Sequence, residues 1–395
     1  MENKCIVLGV SGGIAVYKAL DVVSRLKKHD IDVRVIMTES ATEFVTPLSF
    51  QSLSQNQVIV DMFAEPKAFE IQHISLAKRA DLMIIVPTTA NIIGKVANGI
   101  ADDMLTTTIM ATKAPVVFAP AMNTNMYENR IVQDNISKLK KYGYKFVEPA
   151  SGRLACGDLG KGKLQDTEII VEYALSVLNQ QKDLQGKNVI VTAGPTIAPI
   201  DPVRFITNKS TGKMGYEIAK EARDRGANVT LISGPTNLKE PFGIDVINVS
   251  TNEEMYNAIL SKFEGADIII KSAAVADYKP SEYSEKKIKK GSQGLELNLI
   301  RDRDILKTLG EQKKKNQIII GFAAESHDLI KNAQSKLEKK NLDYIVANNI
   351  LSKDTGFGTD NNKVTIIGKE GFELSLEKMS KREVAKNIFD LIKGR

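Results

Sequence analysis

The stretch KCIVLGVSGGIAVYK, Lys4–Lys18, decides the reading of the first half of the chain, and KNVIVTAGP, Lys187–Pro195, repeats its logic in the second. In the first, an apolar β-branched run over Lys4–Val10 meets a glycine turn and then an amphipathic segment over Ala15–Lys28. A buried strand, a glycine loop and a helix in that order open a parallel βαβ unit, because parallel neighbours need a crossover between them. Outward from it, the pattern predicts strands at Asp32–Met37, Leu82–Pro87 and Val116–Ala119, with helices over Ile92–Asn98 and Asp166–Leu178. The second opening leads to a helix around Tyr216–Arg225 and strands at Asn228–Ile232, Asp267–Ser272, Gln317–Phe322 and Asp343–Ala347. Between the halves, the polar segment NQQKDLQG, Asn179–Gly186, reads as the linker. The predicted fold class is α/β: two Rossmann-like three-layer domains with mainly parallel sheets, over residues 1–180 and 186–395.

The 395 residues are 43% hydrophobic and 26% charged, a globular composition that at this length suits two domains better than one. Apolar runs such as Leu82–Val86 and Ile268–Ile270 fall far short of the roughly 20 residues that span a bilayer, so no membrane partner is expected. The chain opens on a strand and not on a charged n-region, and cytoplasm is the expected compartment. Cys5 and Cys156 fit a reducing environment and form no metal or redox spacing, so no protein-ligated metal is expected. A net charge of +6 suits anionic small molecules. With no tryptophan and 6% aromatics, a nucleic-acid partner is not expected.

Gly9–Lys18 lies where a phosphate-binding turn belongs: glycines let backbone N–H groups approach an anion, and the following helix dipole favours it. Its spacing is not GxGxxG, which weighs against a dinucleotide. The tip of the second strand places Thr38, Ser40 and Thr42 around a single Glu39, a hydroxyl-rich rim suited to phosphate and flavin edges. PTTANIIGKVANGIADDML, Pro87–Leu105, and PAMNTNMY, Pro120–Tyr127, put hydroxyls and amides after buried strands, with Met122 and Met126 able to pack on a flat ring. The cofactor-holding candidates are Ser11, Gly12, Gly13, Thr38, Ser40, Thr88, Ala90 and Asn91. Of three histidines, His29 reads as solvated at a helix end and His327 as part of a helix start. His73, in QHISLAKRAD, stands at the entry to a helix that leads into a strand. SGRLACGDLGKGKL, Ser151–Leu164, places Cys156 in a glycine-rich, basic, mobile loop beside Arg153, where an exposed thiol could give or take a proton.

In the second half, VTAGPTIAPIDPVRFITNKSTGKMG, Val191–Gly215, tempts a P-loop reading. Thr207 stands where Walker A needs its first glycine, and Met214 follows Lys213 where a hydroxyl would hold Mg2+, so Walker chemistry is not expected. KSAAVADYKP, Lys271–Pro280, puts tiny residues and Asp277 at a strand end, and the lysine-rich SEKKIKKGSQG, Ser284–Gly294, reads as a lid over an anionic ligand. Lys336 and Lys340 share one helical face. Lysines from two elements, with Mg2+, meet the charge of a triphosphate. The residues alone reach a nucleotide or another phosphorylated ligand.

GGIAVYK, QHISL, PAMNTNM and LACGDLGKGKL, in this order, resemble the flavin-containing cysteine decarboxylases. They are most similar to the N-terminal half of the bifunctional phosphopantothenoylcysteine decarboxylase/phosphopantothenate–cysteine ligase family. GPT…IDPVRFITNKSTGKMG, AAVADY, KIKK, GFAAES and VANN…GFGTDNN resemble its ligase half, so the likeness covers nearly the whole chain. It implies a flavodoxin-like domain holding FMN, followed by a nucleotide-binding ligase domain. It further implies oxidation of a cysteinyl thiol, loss of the neighbouring carboxylate with His73 acting, a carboxylate grip by Asn123, and protonation by Cys156. For the ligase it implies CTP and Mg2+, an acyl-cytidylate made from 4′-phosphopantothenate and positioned by Asn208, and displacement of CMP by cysteine. Lys287 would close over the triphosphate, and Ala273, Asp277, Asp304, Ile305, Phe322, Lys336 and Lys340 would line the CTP site. A homo-oligomer, a dodecamer, is implied as well. Three departures stand out: Tyr127 where the family commonly has Trp, Ala198 where it has an acidic residue, and Asp302–Ile305 (DRDI) for its Asn-Pro-Asp-Ile. Two other readings remain open on the residues, an NAD(P)-dependent oxidoreductase and a non-catalytic flavin-binding regulator.

Overall fold

The alternation of side chains along the first strand already dictates a sandwich. Ile6, Leu8 and Val10 join one apolar cluster, whereas Cys5 and Val7 join another. A strand buried on both faces must be covered by helices on both, the arrangement of a parallel sheet. The computed structural model describes residues 4–63, 70–179, 181–290, 294–325, 327–349 and 358–393, and the chain divides into units Met1–Gln180 and Gln181–Arg395.

In the first unit, strands β1 (Cys5–Val10), β2 (Asp32–Met37), β3 (Leu82–Thr88), β4 (Val116–Pro120) and β5 (Lys145–Phe146) form one sheet in the order β2-β1-β3-β4-β5. Every pairing in it is parallel. This is the flavodoxin-like order, and the topology reverses between β1 and β3, leaving a crevice beyond their carboxyl ends. Helices Val16–Lys27, Pro47–Ser54 and Thr167–Leu178 cover one face, through residues such as Val23, Phe50 and Ala174. Helices Gln72–Arg79, Ala90–Ala97, Met104–Ala111 and Arg130–Lys141 cover the other. Cys5 is part of that second core, and burial pushes its thiol up to about 12.

The segment read as a mobile loop, Ser151–Leu164, is instead largely an antiparallel hairpin of β6 (Ala150–Arg153) and β7 (Leu159–Lys163). Glycines hide it from a hydrophobic-periodicity reading and also make it possible. A Cβ on Gly162 would sit 2.5 Å from the Met122 carbonyl oxygen, and one on Gly160 would sit 2.6 Å from Thr124 Oγ1. Met122 N–H donates to the Gly162 carbonyl at 2.9 Å, so the hairpin lies against the loop that follows β4.

In the second unit, β8 (Asn188–Ala193), β11 (Asn228–Ser233), β12 (Asp245–Asn248), β13 (Ile268–Lys271), β16 (Ile318–Glu325), β17 (Tyr344–Asn349), β18 (Asn361–Gly368) and β19 (Glu373–Ser380) form the main sheet. Two small hairpins, β9 (Ile197–Pro199) with β10 (Phe205–Thr207) and β14 (Tyr278–Pro280) with β15 (Leu299–Arg301), complete its strands. The order β12-β11-β8-β13-β16-β17 is the doubly wound 3-2-1-4-5-6 arrangement, and it switches between β8 and β13. Beyond β17 the last two strands run antiparallel, an extension that no sequence reading supplied. Val189 and Val191 pack towards helices Lys213–Asp224 and Lys381–Ile392, while Ile190 packs towards helices Asn252–Phe263, Ile305–Gln312 and Leu329–Lys339.

Part of the expected linker is folded onto this unit. Leu184 is buried, Lys182 Nζ donates to the Asp224 carbonyl at 2.6 Å, and Asp183 pairs with the fully buried Arg225 at 3.2 Å. Gln180 of that segment lies outside the described residues, as do residues 291–293 of the lysine-rich run, Ser326 of GFAAES, and Gly356 and Phe357 of GFGTDNN.

Candidate active sites

Each unit carries a cavity at its switch point. In the first, a cavity of about 660 Å³ is lined by Gly12–Ala15, Tyr17, Lys18, Thr89–Ala90, Met122, Asn123, Met126, Leu154–Cys156 and Lys163, among others. Its floor is set by close backbone approaches. A Cβ on Gly12 would meet Ser40 Cβ at 2.5 Å, so only glycine lets the first loop pass under the tip of β2. Ser11 Oγ donates to the Pro87 carbonyl at 2.8 Å and accepts from Thr89 N–H at 3.0 Å, stitching the loops after β1 and β3 together. Thr88 Oγ1 donates to the Ile85 carbonyl at 2.6 Å and accepts from Ala119 N–H at 3.1 Å. These two hydroxyls, expected on a cofactor, are committed to the scaffold: both residues are buried, and a buried hydroxyl must find its partner inside. Thr38 differs. Its Oγ1 is buried and, among the described residues, has no hydrogen-bond partner.

At the mouth of this cavity three side chains meet. Asn123 Nδ2 donates to Asp158 Oδ2 at 2.8 Å and lies 3.3 Å from Cys156 Sγ, and the Cys156 thiol donates to the same Asp158 oxygen at 3.3 Å. Asn123 is held in turn as the cap of helix Thr124–Glu128, accepting from Asn125 N–H at 2.8 Å. Cys156 sits in the hairpin turn, closed by bonds from Leu154 N–H to the Asp158 carbonyl at 2.8 Å and from Gly157 N–H to the Leu154 carbonyl at 3.0 Å. The sequence reading brought Asn123 and Cys156 forward but not Asp158. The signal was present: a carboxylate two residues beyond the thiol, across a glycine in the left-handed region (Gly157, φ +93°).

Tyr127 is buried in this surround. Its hydroxyl donates to Glu148 Oε2 at 3.0 Å, and Lys161 Nζ stands 5.5 Å over its ring. Burial opposes the Glu148 charge, but bonds from Lys140, Lys161 and Tyr127 hold its carboxyl down at about 2. Burial and that carboxylate push the Tyr127 phenol up to about 12. The residue that replaces the family's Trp thus ties the hairpin to the body through a polar handle. His73, half-buried near the start of helix Gln72–Arg79, does not line this cavity, and neither do Thr38, Ser40 or Asn91.

The cavity of the second unit, about 380 Å³, is lined by Asn208, Ser210–Gly215, Lys271–Val275, Asp277, Phe322–Ala324, Lys336, Lys340 and others. It contains the expected Asn208, Ala273, Asp277, Phe322, Lys336 and Lys340. Asn208 Nδ2 donates to the Ala274 carbonyl at 3.0 Å, linking the loop before helix Lys213–Asp224 to the loop after β13. Gly212 (φ +79°) caps that helix, and a Cβ there would strike Thr236 at 2.7 Å. Lys213, the tempting P-loop lysine, pairs with Asp360 at 2.7 Å and donates to the Gly358 carbonyl at 3.2 Å.

Asp304 and Ile305 do not line the cavity. Asp304 caps helix Ile305–Gln312 by accepting from Lys307 N–H at 3.1 Å and pairs with Lys340 at 2.8 Å, while Ile305 is a core residue. Lys287 is exposed and stands outside the lining, but its neighbour is fixed. Buried Asp201 accepts from Ile288 N–H at 3.1 Å and from Arg204 at 2.7 Å, and Arg204 donates to the Ile288 carbonyl at 3.0 Å. The IDPVR motif therefore anchors the base of the lysine-rich segment. Ala198 is buried within β9, opposite Ile206, where a carboxylate would have no water. Among the described residues no group of three His, Cys, Asp or Glu is placed to hold a metal, and no helix is long and apolar enough to cross a membrane.

Residues 1–179 match the Flavoprotein family, and residues 184–394 match the family described as DNA/pantothenate metabolism flavoprotein C-terminal domain. The Coenzyme A biosynthesis bifunctional protein CoaBC of Bacillus subtilis (strain 168) is 51% identical over 395 residues, covering 99% of this chain and 97% of its own. That of Borreliella burgdorferi is 45% identical over 393 residues, covering 99% of both chains. A crystal structure of the C-terminal domain of a protein of that name covers 54% of this chain and 96% of its own, with 42% identity and a TM-score of 0.47. Both domain families, in order, and identity near one half along the full length show that the chain belongs to the family of bifunctional coenzyme A biosynthesis proteins.

Proposed function

We propose that residues 186–395 ligate cysteine to 4′-phosphopantothenate at the expense of CTP, and that residues 1–180, with FMN bound, decarboxylate the product to 4′-phosphopantetheine. The observation that carries the reading is the meeting of Cys156, Asn123 and Asp158 at the mouth of one switch-point cavity, with lysines gathered at the other.

The first cavity fits a flavin nucleotide. It is large and mostly apolar, and its floor admits no Cβ at Gly12. Gly12, Gly13 and Ala90 would hold it from the lining, with Thr89, which sequence reasoning left out of the set, and Thr38, Ser40 and Asn91 would do so from beyond the lining. Ser11 and Thr88 would shape the loops around it. When bound, FMN supplies the two-electron oxidation of the cysteinyl thiol that makes loss of the adjacent carboxylate easy, and the return of those electrons. The protein's part is positional. Asn123 grips the carboxylate before it leaves, and Cys156 then delivers a proton to the carbon that carried it. Asp158 orients both side chains.

His73 keeps its place in the oxidation and decarboxylation step on the condition that it reaches the substrate from a neighbouring copy, since it does not line its own chain's cavity. Exposed Ile14, Tyr17 and Met126 on the cavity rim support such a contact, and a dodecamer is the assembly proposed. Sedimentation of the purified protein measures it.

In the ligase unit the phosphopantothenate carboxylate attacks the α-phosphate of CTP, expelling pyrophosphate, and the cysteine amine then displaces CMP. Asn208 positions the acyl-cytidylate. Lys336 and Lys340 meet the phosphates, and Lys287 closes over them from its anchored segment. Asp277 is the cavity carboxylate suited to Mg2+, which enters with the triphosphate because that ion prefers few protein ligands plus substrate oxygens. The proposed compartment is the cytoplasm. One incubation with 4′-phosphopantothenate, cysteine, Mg2+ and either CTP or ATP, followed by CMP, pyrophosphate and CO₂, tests both halves. Pyrophosphate release without CO₂ sinks the decarboxylase half; no pyrophosphate sinks the ligase half, and CO₂ release is then measured with 4′-phosphopantothenoylcysteine supplied directly.

A further inference from the structure

Lys271 ends β13, next to β8 at the point where the strand order of the second unit reverses. The run Ile268–Lys271 explains its position: three isoleucines fill the core, and the fourth side chain emerges at the carboxyl end of the strand, lining the cavity. Lys340 and Lys336 stand on the same cavity, from the end of helix Leu329–Lys339. Their charges disfavour another ammonium, while Asp304 and Asp277 favour one. Asp304 already pairs with Lys340 at 2.8 Å, and Lys213, also on the lining, pairs with Asp360. Lys381, also on the lining, donates to the Thr359 carbonyl. Among the described residues no hydrogen bond or ion pair satisfies the Lys271 ammonium. A cation held in a protein cavity without a counter-charge is a costly arrangement unless an anion arrives.

We propose that Lys271 is a polyphosphate-binding residue of this site and takes up a proton as the anion binds. The inference rests on the nucleotide reading of the cavity. Burial, reinforced by Lys340, lowers the ammonium to about 8, so the free site holds a partly neutral lysine in mildly alkaline solution. A bound polyphosphate favours the charged form and raises that value towards the ordinary 10.5. Binding and protonation therefore assist one another equally, as linkage requires. Uptake is about half a proton per molecule bound at pH 8 and about a tenth at pH 7. The lysine's contribution is complete below pH 7 and is lost as pH rises through 8. Affinity at pH 9 is then roughly tenfold weaker than at pH 7. Phosphate groups, whose second ionisation lies near 6, add little to that window.

The test is titration calorimetry of the full-length protein with the Mg2+ complexes of CTP and of inorganic tripolyphosphate, whose last protons the bound Mg2+ displaces, at pH 8, in HEPES and in Tris. The difference in heat between the two buffers counts protons. The wild type should take up about half a proton with each probe, Lys271→Met should bind more weakly with no uptake, and Lys271→Arg, permanently charged, should bind tightly without uptake or pH dependence. Uptake unchanged in Lys271→Met, or CTP binding without uptake in the wild type, overturns the proposal and leaves the nucleotide reading standing. Uptake with tripolyphosphate but no binding of CTP supports Lys271 and sinks CTP. Failure of both probes to bind overturns both.

Discussion

Replacing Asp158 by alanine removes the acceptor that Asn123 and Cys156 share while leaving the hairpin turn closed, because the Leu154–Asp158 bond that closes it is made by backbone. Two hydrogen bonds are lost. Each has a charged acceptor, but Cys156 and Asp158 are exposed and Asn123 is only half-buried, which places the bonds near the low end of the range, about 1 kcal/mol each. Together about 2 kcal/mol of alignment disappears, a loss of roughly 30-fold in any step that needs the thiol aimed. Asp158→Asn keeps one acceptor oxygen and should cost about tenfold or less. The assay is single turnover with 4′-phosphopantothenoylcysteine, separating CO₂ release from the appearance of 4′-phosphopantetheine. If Asp158 aims Cys156, the thiol product slows far more than CO₂ in both variants, in the order Ala then Asn. Equal slowing of both steps would mean that Asp158 acts through Asn123 or through the fold. Wild-type product formation by Asp158→Ala would refute the reasoning outright.

Cys156→Ser should retain FMN and still release CO₂ but stall before 4′-phosphopantetheine; normal turnover by that variant removes Cys156 from the mechanism. Lys287→Gln should depress ligation, measured as CTP-dependent pyrophosphate and amide formation. Asp201→Asn should reproduce part of that defect through the Ile288 anchor, and a ligation rate that ignores both substitutions ends the lid reading. The Tyr127–Glu148–Lys161 clamp should resist acid. Glu148 is lowered from 4.5 to about 2, so its stabilising contribution is present above pH 4.5 and is lost as pH falls through 2. A side-chain carboxyl resonance for Glu148 that titrates near 4.5 would contradict this, and Tyr127→Phe should bring it up towards that value.

Repeated period was the part of the fold legible in the sequence. β2 falls on the residues predicted for it, and β1, β3, β4, β11 and β13 within one residue of theirs; the inner strands β1, β3 and β13 declare themselves as continuous apolar runs because both of their faces are buried. The antiparallel strands β18 and β19 stayed hidden because their alternation, with exposed Asn361, Lys363 and Glu377, resembles a charged surface. Hairpin β6–β7 stayed hidden for a different reason: it is built from glycines chosen for what lies beneath them. Residues at strand tips were found as sets, but which member faces the cavity was not. Ser11 and Thr88 are as polar as Thr89, which lines the cavity. Only the closing of their hydrogen bonds onto Pro87, Ile85 and Ala119 tells scaffold from rim, and those partners are set by tertiary packing.

On the proposed reading, that distinction explains why both units carry the residue that acts late away from the strand ends. In each, the switch point supplies a floor fixed by backbone contacts, Gly12 against Ser40 in the first and Gly212 against Thr236 in the second. A floor so close-packed has little freedom to follow a substrate that changes shape during reaction. The residue proposed to act late is carried instead on a separately anchored segment: Cys156 on a hairpin pinned through Gly160 and Gly162, Lys287 on a run pinned through Asp201 and Arg204. In both cases the anchor lies within a few residues of the active side chain and leaves that side chain exposed. A substitution at an anchor should therefore change the late step more than ligand binding, whereas a substitution at a floor glycine should abolish binding first.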